Sequence, residues 1–468
     1  VCTEGRCEGP LAADGCSGSA RGLTITAVAV YQSIKVPLMT DGQPVDGSAR
    51  GADVIQGRDA MFRVFSTLDT GFLARELSAR LTVTNGTAED QYFAKRTVAG
   101  DSNEADLGST FDIVVPKDRI QADTRWSVEV VECGAGSGAI EVPRYPVSGD
   151  VALAARKTGP LKITVVPVET NGHSPDTSDA ALSVYRGLMT AMYPADDVQI
   201  AVGSGITTSY PVDWTGLLDQ IRAKRQSDNP PADVYYYGFL KPTDTLVQYC
   251  QSSCTAGIGY VVGPGETATR AAVGLAFADE SSAKTMAHEI GHNHGRNHAP
   301  CAPGPISGVD ASYPYPGGLT FVWGYDSRNR VLFDPGVSTD IMGYCSNKWI
   351  SDYTYRGITD RVATVNGAFE VLTAPSAVQA FRVLLVDARG PRWGVPFDGP
   401  RSAYGTAELA DVLDAGGNVV TRITVYRTEV ADANASSVLV PPPEAGWFAV
   451  RVAGATPVRF PAPAQVPQ

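Results

Sequence analysis

Four of the chain's five histidines fall between His288 and His298, inside the run TMAHEIGHNHGRNHAPC at residues 285–301. So many imidazoles in one short stretch favour a shared ion that binds their lone pairs, which constrains the fold here more than anywhere else. On a helix, residues four apart share a face about 6 Å apart, so His288 and His292 can aim both rings at one metal ion. Glu289 lies on the same turn, close enough to reach a water at that ion without ligating it. Gly295 can adopt the positive φ that turns a chain out of a helix, and His298 can then swing back as a third ligand. Three neutral imidazoles leave a fourth tetrahedral position open, the arrangement of catalytic rather than structural zinc. His294, on another face of the helix, is expected to support the site or face solvent rather than ligate.

The rest of the 468-residue chain must build a scaffold for that helix. With 43% hydrophobic residues and a net charge of -12 it is globular, and its acidity argues against nucleic acid or an anionic membrane as main partner. No run of about 18 apolar residues predicts a membrane span. The chain opens on Val1 with no basic-then-apolar leader, which reads as a processed product of secretion. Eight cysteines suit disulfides in an oxidising, extracellular compartment, with Cys250 to Cys254 and Cys301 to Cys345 as the preferred pairs.

The pattern along the chain predicts a multidomain α+β protein. Residues 1–20 form a Cys- and Gly-rich arm. Over 21–150, β runs starting at Leu23, Ala60, Leu77, Phe111 and Ser127 predict a sandwich. Over 157–375 strands alternate with helices: strands at Leu161–Val168, Ala232–Leu240, Gly257–Val262 and Ala271–Phe277, and helices around Leu182, Tyr185, Met189 and Met192, over Asp213–Gln226, and from about Ser282. Residues 376–468 return to β runs and predict a second sandwich.

HEIGHNHGRNH matches the HExxHxxGxxH signature and so resembles the metzincin zinc endopeptidases. STDIMGYC at Ser338–Cys345 is similar to the methionine turn of that family, with Met342 as the thioether below the metal. The resemblance implies an α/β catalytic domain flanked by the two β domains. It implies one catalytic Zn2+ on His288, His292 and His298, with Glu289 as general base and Tyr344 as an extra ligand or a donor to the oxyanion. It also implies that Gly257, Ile258, Gly259 and Tyr260 form an edge strand that pairs with extended substrate. WISDYTYRGITDRV from Trp349 fits the final helix. Whether a structural Ca2+ is bound is not written in the sequence, which lacks calcium-binding repeats.

Within the family the chain is similar to StcE-type, pappalysin-like and astacin-like secreted bacterial enzymes. The expected partner is a polypeptide or glycoprotein, and the expected state a secreted or cell-surface monomer. The alternative is a surface adhesin or glycan-binding protein with a vestigial protease domain, against which the intact Glu289 argues.

Overall fold

Short apolar runs separated by turns fold into antiparallel sheets at both ends of the chain, and strand alternates with helix between residues 161 and 293. The computed structural model describes residues 14–461 except 17, 134–141, 252–253, 303, 305–306, 368–377 and 401–403, together with the backbone of 2–3 and 6–7. The expected pairing of Cys2 and Cys7 with other cysteines lies outside the described side chains. The architecture is mixed α+β. Residues 1–160, 190–197 and 313–363 form one compact unit, and 161–189, 198–312 and 364–468 the other.

In the first unit the strands are β1 (Leu23–Tyr31), β2 (Lys35–Thr40), β3 (Ala60–Leu68), β4 (Arg75–Asn85), β5 (Ala88–Val98), β6 (Phe111–Val115) and β7 (Arg125–Glu132). One sheet runs β2-β1-β3-β6 with one short strand added on β2, and the other β7-β4-β5 with two short strands paired to β7. Alternation turns one face of each sheet inward. Phe62 of β3 thus meets Trp126 of β7 with ring centroids 5.8 Å apart. The first seven residues of β3 are all buried, because Tyr325 and Trp323 cover its other face over Met61 and Phe65. Arg63, carried inside by this pattern, is held by the Thr110 hydroxyl at 3.1 Å and the Asp112 carboxylate at 3.3 Å. Cys16 is bonded to Cys133.

The five runs noted in the sequence become β1, β3, β4, β6 and β7, whereas β2 and β5 carry no such signal. Pro37 interrupts β2 at the point where its register on β1 shifts. β5 pairs only with β4 and fully buries only Tyr92 and Val98, so its sequence, AEDQYFAKRTV, has no apolar period.

The second unit holds β8 (Leu161–Glu169), α1 (Asp179–Met192, its last three residues counted with the first unit), β9 (Val198–Val202), α2 (Trp214–Asp228), β10 (Val234–Leu240), β11 (Gly257–Gly259), β12 (Ala271–Leu275) and α3 (Glu280–Asn293). The sheet order is β9-β8-β10-β12-β11, parallel except for the antiparallel edge strand β11. Its inner residues, among them Val166, Val273 and Leu275, pack on Leu217, Leu218 and Ile221 of α2. Leu182, Tyr185, Met189 and Met192 form the buried stripe of α1. Ser178 caps it, accepting the Ala181 N–H at 3.3 Å.

The C-terminal strands, including β13 (Val378–Val386), β14 (Thr406–Leu413), β15 (Val419–Val430), β16 (Ala435–Val440) and β17 (Ala449–Arg451), form an eight-stranded antiparallel sheet. It docks on α2 of the same unit through polar groups. Asp219 and Arg222, both buried, pair at 2.7 Å. They also bracket Val395, whose N–H donates to Asp219 at 2.6 Å while its carbonyl accepts from Arg222 at 2.7 Å. Between β15 and β16 the turn residues Asp432 (φ 63°) and Asn434 (φ 43°) are left-handed, a conformation that Asp and Asn tolerate better than most residues.

Two outcomes test this docking. Replacing Asp219 by Ala leaves Arg222 buried without its carboxylate and is expected to cost about 3–5 kcal/mol in denaturant unfolding. A loss below about 1 kcal/mol would mean that the pair is not a net support. Asp387 lies 2.9 Å from Arg389 and 2.8 Å from Arg392. Burial alone would raise its carboxyl, but the guanidiniums outweigh burial and hold it at about 2, against 3.8 ordinarily. The folded value lies below the unfolded one, so this stabilisation is complete above roughly pH 5 and is lost as pH falls through about 2. The drop in unfolding free energy between those pH values should be smaller in Asp387→Asn.

Candidate metal centre

The helix that carries the histidines is defined at both ends. Asp279 caps α3 by accepting the Ser282 N–H at 2.8 Å. At the other end Gly295 takes φ 76°, with its N–H on the His292 carbonyl at 2.8 Å and the Arg296 N–H on the Gly291 carbonyl at 3.0 Å. This is a Schellman ending, which needs a residue without a Cβ at that point. The chain then returns alongside residues 308–310, where His298 donates its N–H to the Gly308 carbonyl at 2.9 Å and accepts from the Asp310 N–H at 2.9 Å.

These elements bring His288, His292 and His298 together, and the tip of the β15–β16 hairpin adds Asp432. The Nε2 atoms of His288 and His292 are 3.1 Å apart. Asp432 Oδ2 is 3.3 Å from His288 Nε2 and 3.4 Å from His292 Nε2, and Oδ1 is 3.1 Å from His298 Nε2. Zinc bonds of about 2.0–2.1 Å in a tetrahedron place ligand atoms about 3.3 Å apart, so the spacing fits such an ion.

Proton placement supports the same conclusion. His292 Nδ1 lies 2.6 Å from the Arg296 carbonyl oxygen, and His298 Nδ1 lies 2.6 Å from that of Ser307. A carbonyl only accepts, so in each ring the proton sits on Nδ1 and the Nε2 lone pair faces the centre. Burial, the largest influence, pushes the His292 imidazole down to about 4, so the ring is neutral at neutral pH. Burial would raise the Asp432 carboxyl, but the surrounding imidazoles outweigh it and keep it well below the usual carboxylate range. Lone pairs and an anion converging in a buried space call for a cation among them.

Glu289 is buried beside β11. A Cβ on Gly257 would come within 2.6 Å of Glu289 Oε1, and one on Gly259 within 3.3 Å of Oε2. Both glycines let the carboxylate lie against the strand backbone. Ile258 and Tyr260 point into the core. The outer edge of this strand is not open: the Ala431 N–H donates to the Gly259 carbonyl at 2.8 Å, the Val261 N–H to the Glu429 carbonyl at 3.0 Å, and Tyr260 faces Val430.

His294 stays outside the cluster and is buried, not at the surface. Its ring stacks on Tyr235 at 4.7 Å, and its Nδ1 donates to the Ile290 carbonyl at 2.7 Å. Met342 and Tyr344 fall in the first unit. There the buried Asp340 carboxylate accepts the Met342 N–H at 2.8 Å and the Ser351 N–H at 2.9 Å, which shapes the turn. Met342 is buried, and Tyr344 is 37% exposed. Cys250 is bonded to Cys254, and Cys301 and Cys345 are each in a disulfide. Sequence reasoning missed Asp432. The only local trace is the short ADAN turn, which resembles any hairpin tip.

No curated protein matches the chain. Residues 259–359, which include all three clustered histidines, Glu289, Met342 and Tyr344, match the family model described as Peptidase M66, so this stretch is similar to a peptidase.

Proposed function

We propose that the protein is a secreted zinc endopeptidase of metzincin type that cuts extracellular polypeptides or glycoproteins, its catalytic domain set between two β domains. The observation that carries the reading is the set of three buried Nε2 lone pairs, two of them fixed by carbonyl-held Nδ1 protons, next to the Glu289 carboxylate. The peptidase similarity of residues 259–359 supports it.

His288, His292 and His298 would hold the ion, and zinc bound there would supply Lewis acidity toward a carbonyl and a water. Glu289 takes a proton from the attacking water and passes it to the leaving amine. An extended substrate would take the edge of β11 in place of the Glu429–Ala431 backbone that pairs there, its carbonyl turned toward the histidines. The resemblance to the metzincins gives Tyr344 the role of donor to the developing oxyanion and Met342 that of the methionine-turn thioether. The disulfides suit an oxidising, extracellular setting.

Two outcomes check this. Glu289→Gln should retain zinc, measured by plasma emission, and lose at least about 100-fold in hydrolysis of an unfolded polypeptide or a mucin-type glycoprotein. Equal hydrolysis by the wild type and this variant would sink the mechanism. Replacing His292 by Ala should lower the zinc content of the dialysed protein to a small fraction of one ion per chain. Undiminished zinc would move the metal elsewhere.

A further inference from the structure

The position that catalysis needs open is filled by the chain itself. Asp432 comes from a hairpin of the C-terminal sheet, far along the sequence from α3, and its two carboxylate oxygens lie 3.1–3.4 Å from all three Nε2 atoms. The strand leading to it also occupies the substrate edge, pairing antiparallel with β11 through Ala431 to Gly259 and Val261 to Glu429. Peptide pairing and a fourth ligand thus arrive on one segment.

We infer that Glu429–Asp432 is a built-in occluding segment: it takes the place of a substrate strand on β11 and closes the centre with Asp432 as fourth ligand. This rests on the endopeptidase reading and adds its regulation. Three observations support it. Asp432 is at φ 63°, a conformation that does nothing for the hairpin that Gly or Asn would not do, yet here it aims an anion at the cluster. Its side chain is 8% exposed, and its two oxygens face the Nε2 atoms of His288, His292 and His298 at 3.1–3.4 Å, so a cation in the cluster would offset its burial. Val430 and Ala435, on either side of the turn, are packed in the core shared with Tyr260 and Ile258, which holds the tip in register.

Opening separates Glu429–Asp432 from β11 and takes Val430 out of the core it shares with Tyr260 and Ile258. The tip is joined to β11 by two backbone hydrogen bonds, and an incoming strand can form the same two. An extended polypeptide therefore competes with the segment for the edge and for the fourth position together.

The test uses the full chain, stripped of metal and reloaded with Co2+, whose visible absorption reports the ligands, and titrated with acetohydroxamate. Wild type is compared with Asp432→Asn and Asp432→Gly, since Asn and Gly both accept the left-handed backbone while one keeps the shape without the charge and the other removes the side chain. Both variants should bind acetohydroxamate at least tenfold more tightly than wild type and show a shifted Co2+ spectrum before it is added. A ratio under tenfold in both would overturn the occlusion. So would loss of Co2+ from both variants with unchanged circular dichroism, which would make Asp432 a ligand the centre requires. If the variants bind acetohydroxamate tightly and hydrolyse no polypeptide, the occlusion stands and the endopeptidase reading falls.

Discussion

A buried meeting of lone pairs has to be paid for by a cation, and the centre of this protein depends on that requirement. Isolated from water, three imidazole nitrogens and a carboxylate 3.1–3.4 Å from each of them call for a cation, because two of the rings have already committed their protons to carbonyls. Those carbonyls come from Arg296 and Ser307, the first residues beyond the helix ending and the loop that runs beside His298. The turn at Gly295 therefore does two things: it ends the helix, and it puts in place the acceptor that fixes the tautomer of His292.

The β11 edge and the C-terminal sheet depend on the same geometry. Glu289 reaches its place only because Gly257 and Gly259 have no side chains, so the strand that would bind substrate backbone and the carboxylate that would move the proton are built as one surface. The C-terminal sheet reaches that surface because it is anchored on α2 by the Asp219–Arg222 pair around Val395. A sheet fixed there projects its β15–β16 hairpin over β11. In the second unit, docking energy far from the centre is thus converted into the position of one carboxylate.

What could be read from the sequence follows from how local each feature is. His288, Glu289, His292, Gly295 and His298 lie in eleven consecutive residues, and the period of a helix with its ending is enough to bring them together. GIGYVV reads as a strand for the same reason, and the alternation of α1 is visible in Leu182, Tyr185 and Met189. Asp432 could not be read, because it meets the histidines only through sheet docking, and ADAN carries no period. Nor could β5, whose solvent-facing side chains remove the apolar alternation. His294 misleads in the other direction: one ring among four in the run, it serves the core by stacking on Tyr235.

The balance between closed and open centres can be argued from the tether. A carboxylate held on the same chain acts at an effective concentration on the order of millimolar or more, which favours it over a free carboxylate in solution. Against this, a substrate strand recovers the two backbone hydrogen bonds, about 1 kcal/mol each, and extends the pairing along β11, while the burial of Val430 is what opening gives up. Each further residue of pairing and each side chain seated beside the strand adds to the substrate and not to the segment, whose length is fixed by the hairpin. Short peptides should therefore lose to Asp432 and long extended ones should displace it, so that length discrimination arises from competition at the edge strand without any pocket designed for it.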